Sequence, residues 1–210
     1  MHQISKARGA GVTLVELLVG MAIVGFLMAI GMPAMNSWVS AARARSAIEF
    51  YAEGLASARR EAVKHNARSR IVFTQNAGNF QHDWQVDICY PAPGTPCDDN
   101  SGVWSTPTAP AANDPEGAAG YTSLLRRADA LPKATVIAPS LTPAGATSVY
   151  FTELGWVDTS IDNRLTRVRL DAASSMAADI PPAALSLTLA GIAVKCNPTV
   201  SAPDSRACPP

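Results

Sequence analysis

Residues 11–33 read GVTLVELLVGMAIVGFLMAIGMP, and the reading of this stretch decides the fold. From Val12 to Met32 every residue is apolar or small except Thr13 and one carboxylate, Glu16. At ~1.5 Å per residue, a helix over these positions is about 30 Å long, the thickness of a bilayer's hydrocarbon core. A lone carboxylate in hydrocarbon costs a few kcal/mol, so Glu16 is expected to have a partner and a function. The preceding MHQISKARGAG is short, carries Lys6 and Arg8, has no acid and ends in glycine. A basic leader stays on the cytoplasmic side, which puts the chain beyond the apolar run in the periplasm. A secretory signal has a shorter apolar region with its cleavage site after it. A plain anchor would account for the length, but not for Gly11 followed at once by Val-Thr-Leu-Val-Glu.

The 210 residues suit one domain with an N-terminal appendage. Basic and acidic residues balance at 17 each, and without Lys6 and Arg8 of the N-terminal segment the balance would be 15 against 17, a net charge of −2. That is not the basic balance of a dedicated nucleic-acid binder. All prolines except Pro33 lie beyond residue 90, which predicts loops and short strands there. Four cysteines, Cys89, Cys97, Cys196 and Cys208, follow the apolar run and allow three pairings. The local pairs Cys89–Cys97 and Cys196–Cys208 are favoured, each closing a proline-containing loop at a gain of ~2–3 kcal/mol. Zinc is disfavoured, because C-x-x-C spacing is absent and His2, His65 and His82 are scattered.

A helix is expected to continue over 34–65. Trp38, Ala41, Ala44, Ile48, Tyr51, Leu55, Ala58 and Ala62 recur at spacings of three and four, with the charged residues largely elsewhere. Pro33 has no N–H and clashes with the preceding turn, so a kink is expected there. His65-Asn66-Ala67 is the expected stop. Residues 70–74 and 84–89 read as a hairpin around the turn-rich NAGNFQHD. The proline- and glycine-rich 90–120 reads as a long loop. Further strands are expected at 135–138, 148–152, 165–170, 184–189 and 192–196, the last two forming a hairpin about Ala190-Gly191.

The N-terminus resembles the class III signal of type IV pilins and pseudopilins. The resemblance implies cleavage by a membrane-embedded prepilin peptidase between Gly11 and Val12 and methylation of the new Val12 N-terminus. Val12 stands where phenylalanine is usual. Glu16 becomes the fifth mature residue, the family's acid that pairs with a neighbouring subunit's N-terminal amine during assembly, and Pro33 resembles the family's helix-kinking proline. The stretch SAIEFYAEGLASARREAVKHNARSRIVF resembles the FimT/FimU/GspH group through Leu55, Ala58, Arg59, Glu61, Ala62, Lys64 and Asn66. VYFTELGWVD (Phe151, Gly155) and TLAGIAVKC (Gly191, Cys196) resemble that group's later strands, and 90–120 has no counterpart. The implied fold is α+β, a pilin fold with a long N-terminal helix packed on an antiparallel β-sheet head. Its parts would be a leader at 1–11, a transmembrane and assembly helix at 12–33, an amphipathic half at 34–66 and a β-rich head at 67–210. The implied function is a minor pilin that primes a type IV pilus or acts near its tip. It would start in the inner membrane with its head in the periplasm and move to the pilus and cell surface. Implied partners are the peptidase, major and minor pilins, the inner-membrane assembly platform and, before assembly, lipid. A minor pseudopilin of a type II secretion system and a DNA-binding minor pilin for natural transformation are the alternatives.

No catalytic constellation is present: G-x-S-x-G, H-E-x-x-H and the P-loop pattern are all missing, so an enzyme is not expected and no cofactor is implied. Asp98-Asp99-Asn100 lacks EF-hand spacing and the closing glutamate, and Asp158, Asp162 and Asn163 are equally weak as a calcium site. FimT proteins carry a Gly-Arg-x-Arg pattern implicated in DNA uptake. The matching place here reads Gly191-Ile192-Ala193-Val194, without either arginine. Arg164, Arg167, Arg169, Lys195 and Arg206 remain as candidate phosphate-binding groups, with Arg167 and Arg169 expected on one strand face. A solvated sheet face is the favoured reading of them, and Arg59-Arg60 and Arg126-Arg127 are read as solvated or subunit-contacting.

Overall fold

A computed structural model describes residues 12–98, 103–178 and 180–209. The leader with Gly11, and Asp99-Asn100 of the 90–120 segment, lie outside the described residues. The chain divides into two compact units, one ending at Val39 and one beginning at Ser40.

Helix α1, Leu14–His65, contributes to both units. In the first, Leu14–Met32 is long and apolar enough to cross a membrane, with mean hydropathy 2.3. Its side chains are exposed throughout. In the second, α1 buries Ala47, Ile48, Tyr51, Leu55, Ala58 and Ala62, so the stripe read from the sequence is a packed face. Trp38, assigned to that stripe, is instead 70% exposed and belongs to the first unit. The helix stops where a left-handed residue is reached: Asn66 has φ 46°. There the N–H of Ala67 bonds to the carbonyl of Ala62 and that of Asn66 to Val63, the paired bonds of a Schellman motif.

Among the described residues eight strands follow: β1 Arg68–Gln75, β2 His82–Cys89, β3 Leu124–Arg126, β4 Ile137–Thr142, β5 Ser148–Phe151, β6 Arg167–Ala172, β7 Ala183–Leu187 and β8 Ala193–Cys196. They form two antiparallel sheets, ordered β3-β2-β1-β5 and β4-β6-β7-β8. The architecture is α+β and pilin-like. The β1–β2 hairpin sets Phe73 opposite Trp84 and Ile71 opposite Val86. These side chains join Tyr51 and Leu55 of α1 and Val149, Phe151, Val168 and Leu185 of the sheets in one core.

Three expectations change. β3 was not foreseen: its three residues are exposed and pair with β2 at the sheet edge, a contact too short to leave a periodic signal. The strand expected at 135–138 runs 137–142 and includes Pro139, which an edge strand such as β4 tolerates. The segment at 90–120, read as a loop, is irregular but packed, with Cys97, Trp104, Ser105 and Ala111 buried. The indole N–H of Trp104 donates to the Asp98 carbonyl, and Ser105 Oγ accepts the Ile88 N–H at 2.9 Å.

α1 is joined to the sheets by polar bonds as well as apolar contact. The buried Tyr51 hydroxyl donates to Gln81 Oε1 at 3.0 Å and accepts the His82 N–H at 3.0 Å. Gln81 Nε2 in turn donates to the carbonyls of Pro132 and Ile137. Burial pushes the Tyr51 phenol up to about 12, so it holds its proton and remains a donor. Tyr51→Phe leaves Gln81 and the His82 N–H without this partner in a dry site, at a cost of ~1–3 kcal/mol. A lower urea midpoint for the detergent-solubilised chain, followed by tryptophan fluorescence, is expected. An unchanged midpoint would remove the hydroxyl from the set of bonds holding the head together.

Candidate assembly site

The first turn of α1 is built by its own sequence. Thr13 precedes the helix, and its Oγ1 accepts the Glu16 N–H at 3.2 Å while its carbonyl accepts the Leu17 N–H at 3.1 Å. Thr13-Leu-Val-Glu16 is T-x-x-E, the capping-box pattern, with Glu16 at the third helical position. That signal was present in the sequence and unused. It places the Glu16 carboxylate in the first turn, where the helix dipole favours negative charge. Among the described residues Glu16 forms no ion pair. Val12, 70% exposed, stands directly before the cap. Pro33 lies within α1, which runs as one helix past it.

The cysteines form two local disulfides, Cys89–Cys97 and Cys196–Cys208. The first holds the start of the 90–120 segment to β2 beside Trp104 and Tyr150. There the Arg70 guanidinium stacks 4.6 Å from the Trp104 ring centre and binds Asp87 at 2.8 Å. The second ties the C-terminal tail to β8, where the Asn197 N–H also bonds to the Arg206 carbonyl at 2.7 Å.

The candidate phosphate-binding cations do not converge. Arg167 and Arg169 share the outer face of β6, between the buried Val168 and Leu170. Arg167 donates to Ser186 Oγ and to the Pro209 carbonyl, and so holds the tail. Arg169 grips Asp171 at 2.7 Å, a contact that raises the guanidinium pKa further. Lys195 is opposite Leu185 in register, on the other face, and pairs with Glu49 of α1. Arg206 binds Asp204 at 2.8 Å and Arg164 donates to the Ile161 carbonyl at 3.0 Å. A phosphate chain would have to displace these contacts one by one. Among the described residues no group of three or more His, Cys, Asp or Glu side chains is placed to hold a metal ion.

Asp158 has a structural use. Its Oδ2 accepts Arg68 Nη1 at 2.8 Å, and its Oδ1 accepts both the N–H and hydroxyl of Ser160. Desolvation pushes its pKa up, but the Ser160 bonds and then Arg68 and Arg164 outweigh it, so the carboxyl titrates below its ordinary value. A depressed folded pKa means stability that is present above the unfolded pKa and lost as pH falls through the folded one. Asp158→Asn is expected to lower stability at pH 7 by ~1–3 kcal/mol, and the gap to wild type should close at an acidic pH below the lowered pKa of the folded carboxyl. Parallel urea titrations at both pH values check it, and a gap independent of pH would deny the carboxylate's charge any part.

An exposed apolar helix capped at its first turn, continued by an amphipathic half on antiparallel sheets, defines a pilin-like subunit. The family model described as type II transport protein GspH matches residues 47–183, and the chain belongs to that family. The prokaryotic N-terminal methylation motif matches residues 6–32. No curated protein and no solved structure matches the chain. The matched families are structural pilin and pseudopilin proteins, and membership implies prepilin processing and assembly with other pilins.

Proposed function

We propose that the protein is a minor pilin, cut between Gly11 and Val12, methylated on Val12 and built into a type IV pilus, where it primes assembly or acts near the tip. The carrying observation is the capped first turn: one carboxylate, without a partner among the described residues, at the start of a fully exposed apolar helix. In lipid that charge is costly. A neighbouring subunit's methylated amine supplies the missing opposite charge as the helix leaves the bilayer. The head begins in the periplasm, consistent with the basic leader and the disulfides. A kink at Pro33 would let the two halves of α1 take different directions.

A second reading, a minor pseudopilin of a type II secretion filament, uses the same chemistry and is favoured by the printed description of the matching family. Deletion of the gene separates the two: loss of sheared surface pili supports the first, whereas intact pili with retained exoproteins support the second. DNA capture has weaker support, because the candidate cations are engaged within the head.

The role of Glu16 has its own test. Glutamine preserves the capping box but not the charge. Glu16→Gln and Glu16→Ala are both expected to be cleaved normally and both to be lost from sheared filaments. Incorporation of the glutamine variant at the wild-type level would reduce Glu16 to a helix cap.

A further inference from the structure

The outer edge of β8 is open along part of its length. In an antiparallel ladder, bonded and non-bonded residue pairs alternate. The Thr188 N–H bonds to the Ile192 carbonyl, and the Leu187 N–H turns away from β8 to the Thr166 carbonyl. Leu187–Ala193 and Leu185–Lys195 are therefore the non-bonded pairs of β7 and β8, and the N–H and carbonyl of Ala193 and Lys195 face outward. The alternation continues to Asn197, whose N–H bonds to the Arg206 carbonyl in a parallel bridge between Asn197 and Ala207. The chain's own tail thus covers the edge just beyond Cys196. Among the described residues nothing bonds to the outward groups of Ala193 and Lys195. On β5, by contrast, the carbonyls of Ser148 and Tyr150 accept the N–H groups of Leu165 and Asp158.

The open edge is one wall of a groove of about 630 Å³, and α1 is the other. α1 supplies Glu53, Ala56, Arg59 and Arg60, and β8 supplies Ala193 and Lys195. Ala52 and Ala56 have no side chain beyond Cβ, so the space between helix and strand stays unfilled. At one end Lys195 pairs with Glu49. At the other end the start of β8 is fixed: a Cβ on Gly191 would collide with the Gly155 carbonyl, to which Arg59 Nε donates at 3.2 Å. Arg60, next to it, is exposed and has no ion pair or side-chain hydrogen bond among the described residues. Glu53, about two turns earlier on α1, is exposed and unpaired in the same way. The groove is therefore positive beside Gly191 and negative at Glu53.

We propose that this groove binds an extended peptide segment of another protein, which adds to the outer edge of β8 as a strand and places an aspartate or glutamate against Arg60. Main-chain bonds to Ala193 and Lys195 give affinity, and the alternate side chains that face α1 give specificity. Those side chains meet Ala52 and Ala56, where the helix leaves room for apolar groups. Arg60 attracts an acid at one end of the segment and Glu53 repels one farther along, so charge sets its direction. The tail already uses this edge in the same manner at Asn197. The groove lies wholly within the head, and its use does not depend on Glu16.

The test selects random heptapeptides displayed on phage against the detergent-solubilised full-length chain and measures the selected peptides by fluorescence anisotropy. Enrichment of sequences with an acid at one end and apolar residues at alternate positions is expected. Arg60→Glu should weaken their binding about tenfold, and exchanging the peptide's acid for lysine should restore binding to that variant. Ala193→Pro removes an outward N–H that the β7–β8 ladder does not use, a change an edge strand tolerates, and should also weaken binding about tenfold. Hydrogen exchange of the Ala193 and Lys195 amides should slow when peptide is bound. If Ala193→Pro lowers the urea midpoint, the Arg60 charge exchange and the amide protection decide alone. Enrichment of no sequence, binding that survives both substitutions, or unprotected Ala193 and Lys195 amides in the complex would overturn the proposal. So would binding of a single-stranded oligonucleotide with no peptide enriched, which would assign the groove to phosphate.

Discussion

One helix meets two incompatible requirements, and the rest of the structure follows from that. Between Leu14 and Met32 α1 is apolar on every side and exposes everything, a surface stable only in lipid or against other apolar helices. Between Ala47 and Ala62 it buries one stripe and leaves its charged residues outside. Both ends of the helix are closed by local bonds. The Thr13 side chain does this at the start and the left-handed Asn66 at the finish, each with local bonds. Glu16 is the exception in the apolar half and lies in the capped first turn.

The head is organised around how closely α1 can approach the sheets. Ala47, Ala58 and Ala62 are buried small residues on the packed face. Gly54 is tighter still: a Cβ there would press on Ile71 and Trp84. Close approach brings polar groups of the helix and the sheets into direct bonding distance. Tyr51 and Gln81 bond to each other, and Ser69 Oγ donates to the Ala58 carbonyl at 2.6 Å. The same economy applies at the surface, where cations that suggest a phosphate track are bound by adjacent acids and carbonyls.

Much of the fold was legible in the sequence because its signals are periodic. The stripe from Ile48 to Ala62 and the alternation of β1 and β2 repeat often enough to exceed chance. What escaped has no period. β3 is three residues long. The packed 90–120 segment is held by a disulfide, an indole bond and buried serines rather than by a repeating pattern. Trp38 was drawn into the stripe because spacing alone does not show where the sheets end. The capping signal at Thr13-x-x-Glu16 was legible but overshadowed by the apolar run around it.

The sequence by itself determined the apolar helix with its single acid, the amphipathic continuation and the family, since these depend on residue type and spacing along one chain. Tertiary structure alone decided which cations are free, which turns stack and where a pocket stays open. Arg167 and Lys195 lie on opposite faces because of strand register. Thr152–Trp156 and Thr188–Ile192 meet because β5 and the β7–β8 turn come together above Arg59, although about 35 residues separate them in sequence. Contacts between distant parts of a chain depend on how its elements pack, and residue spacing carries no record of that.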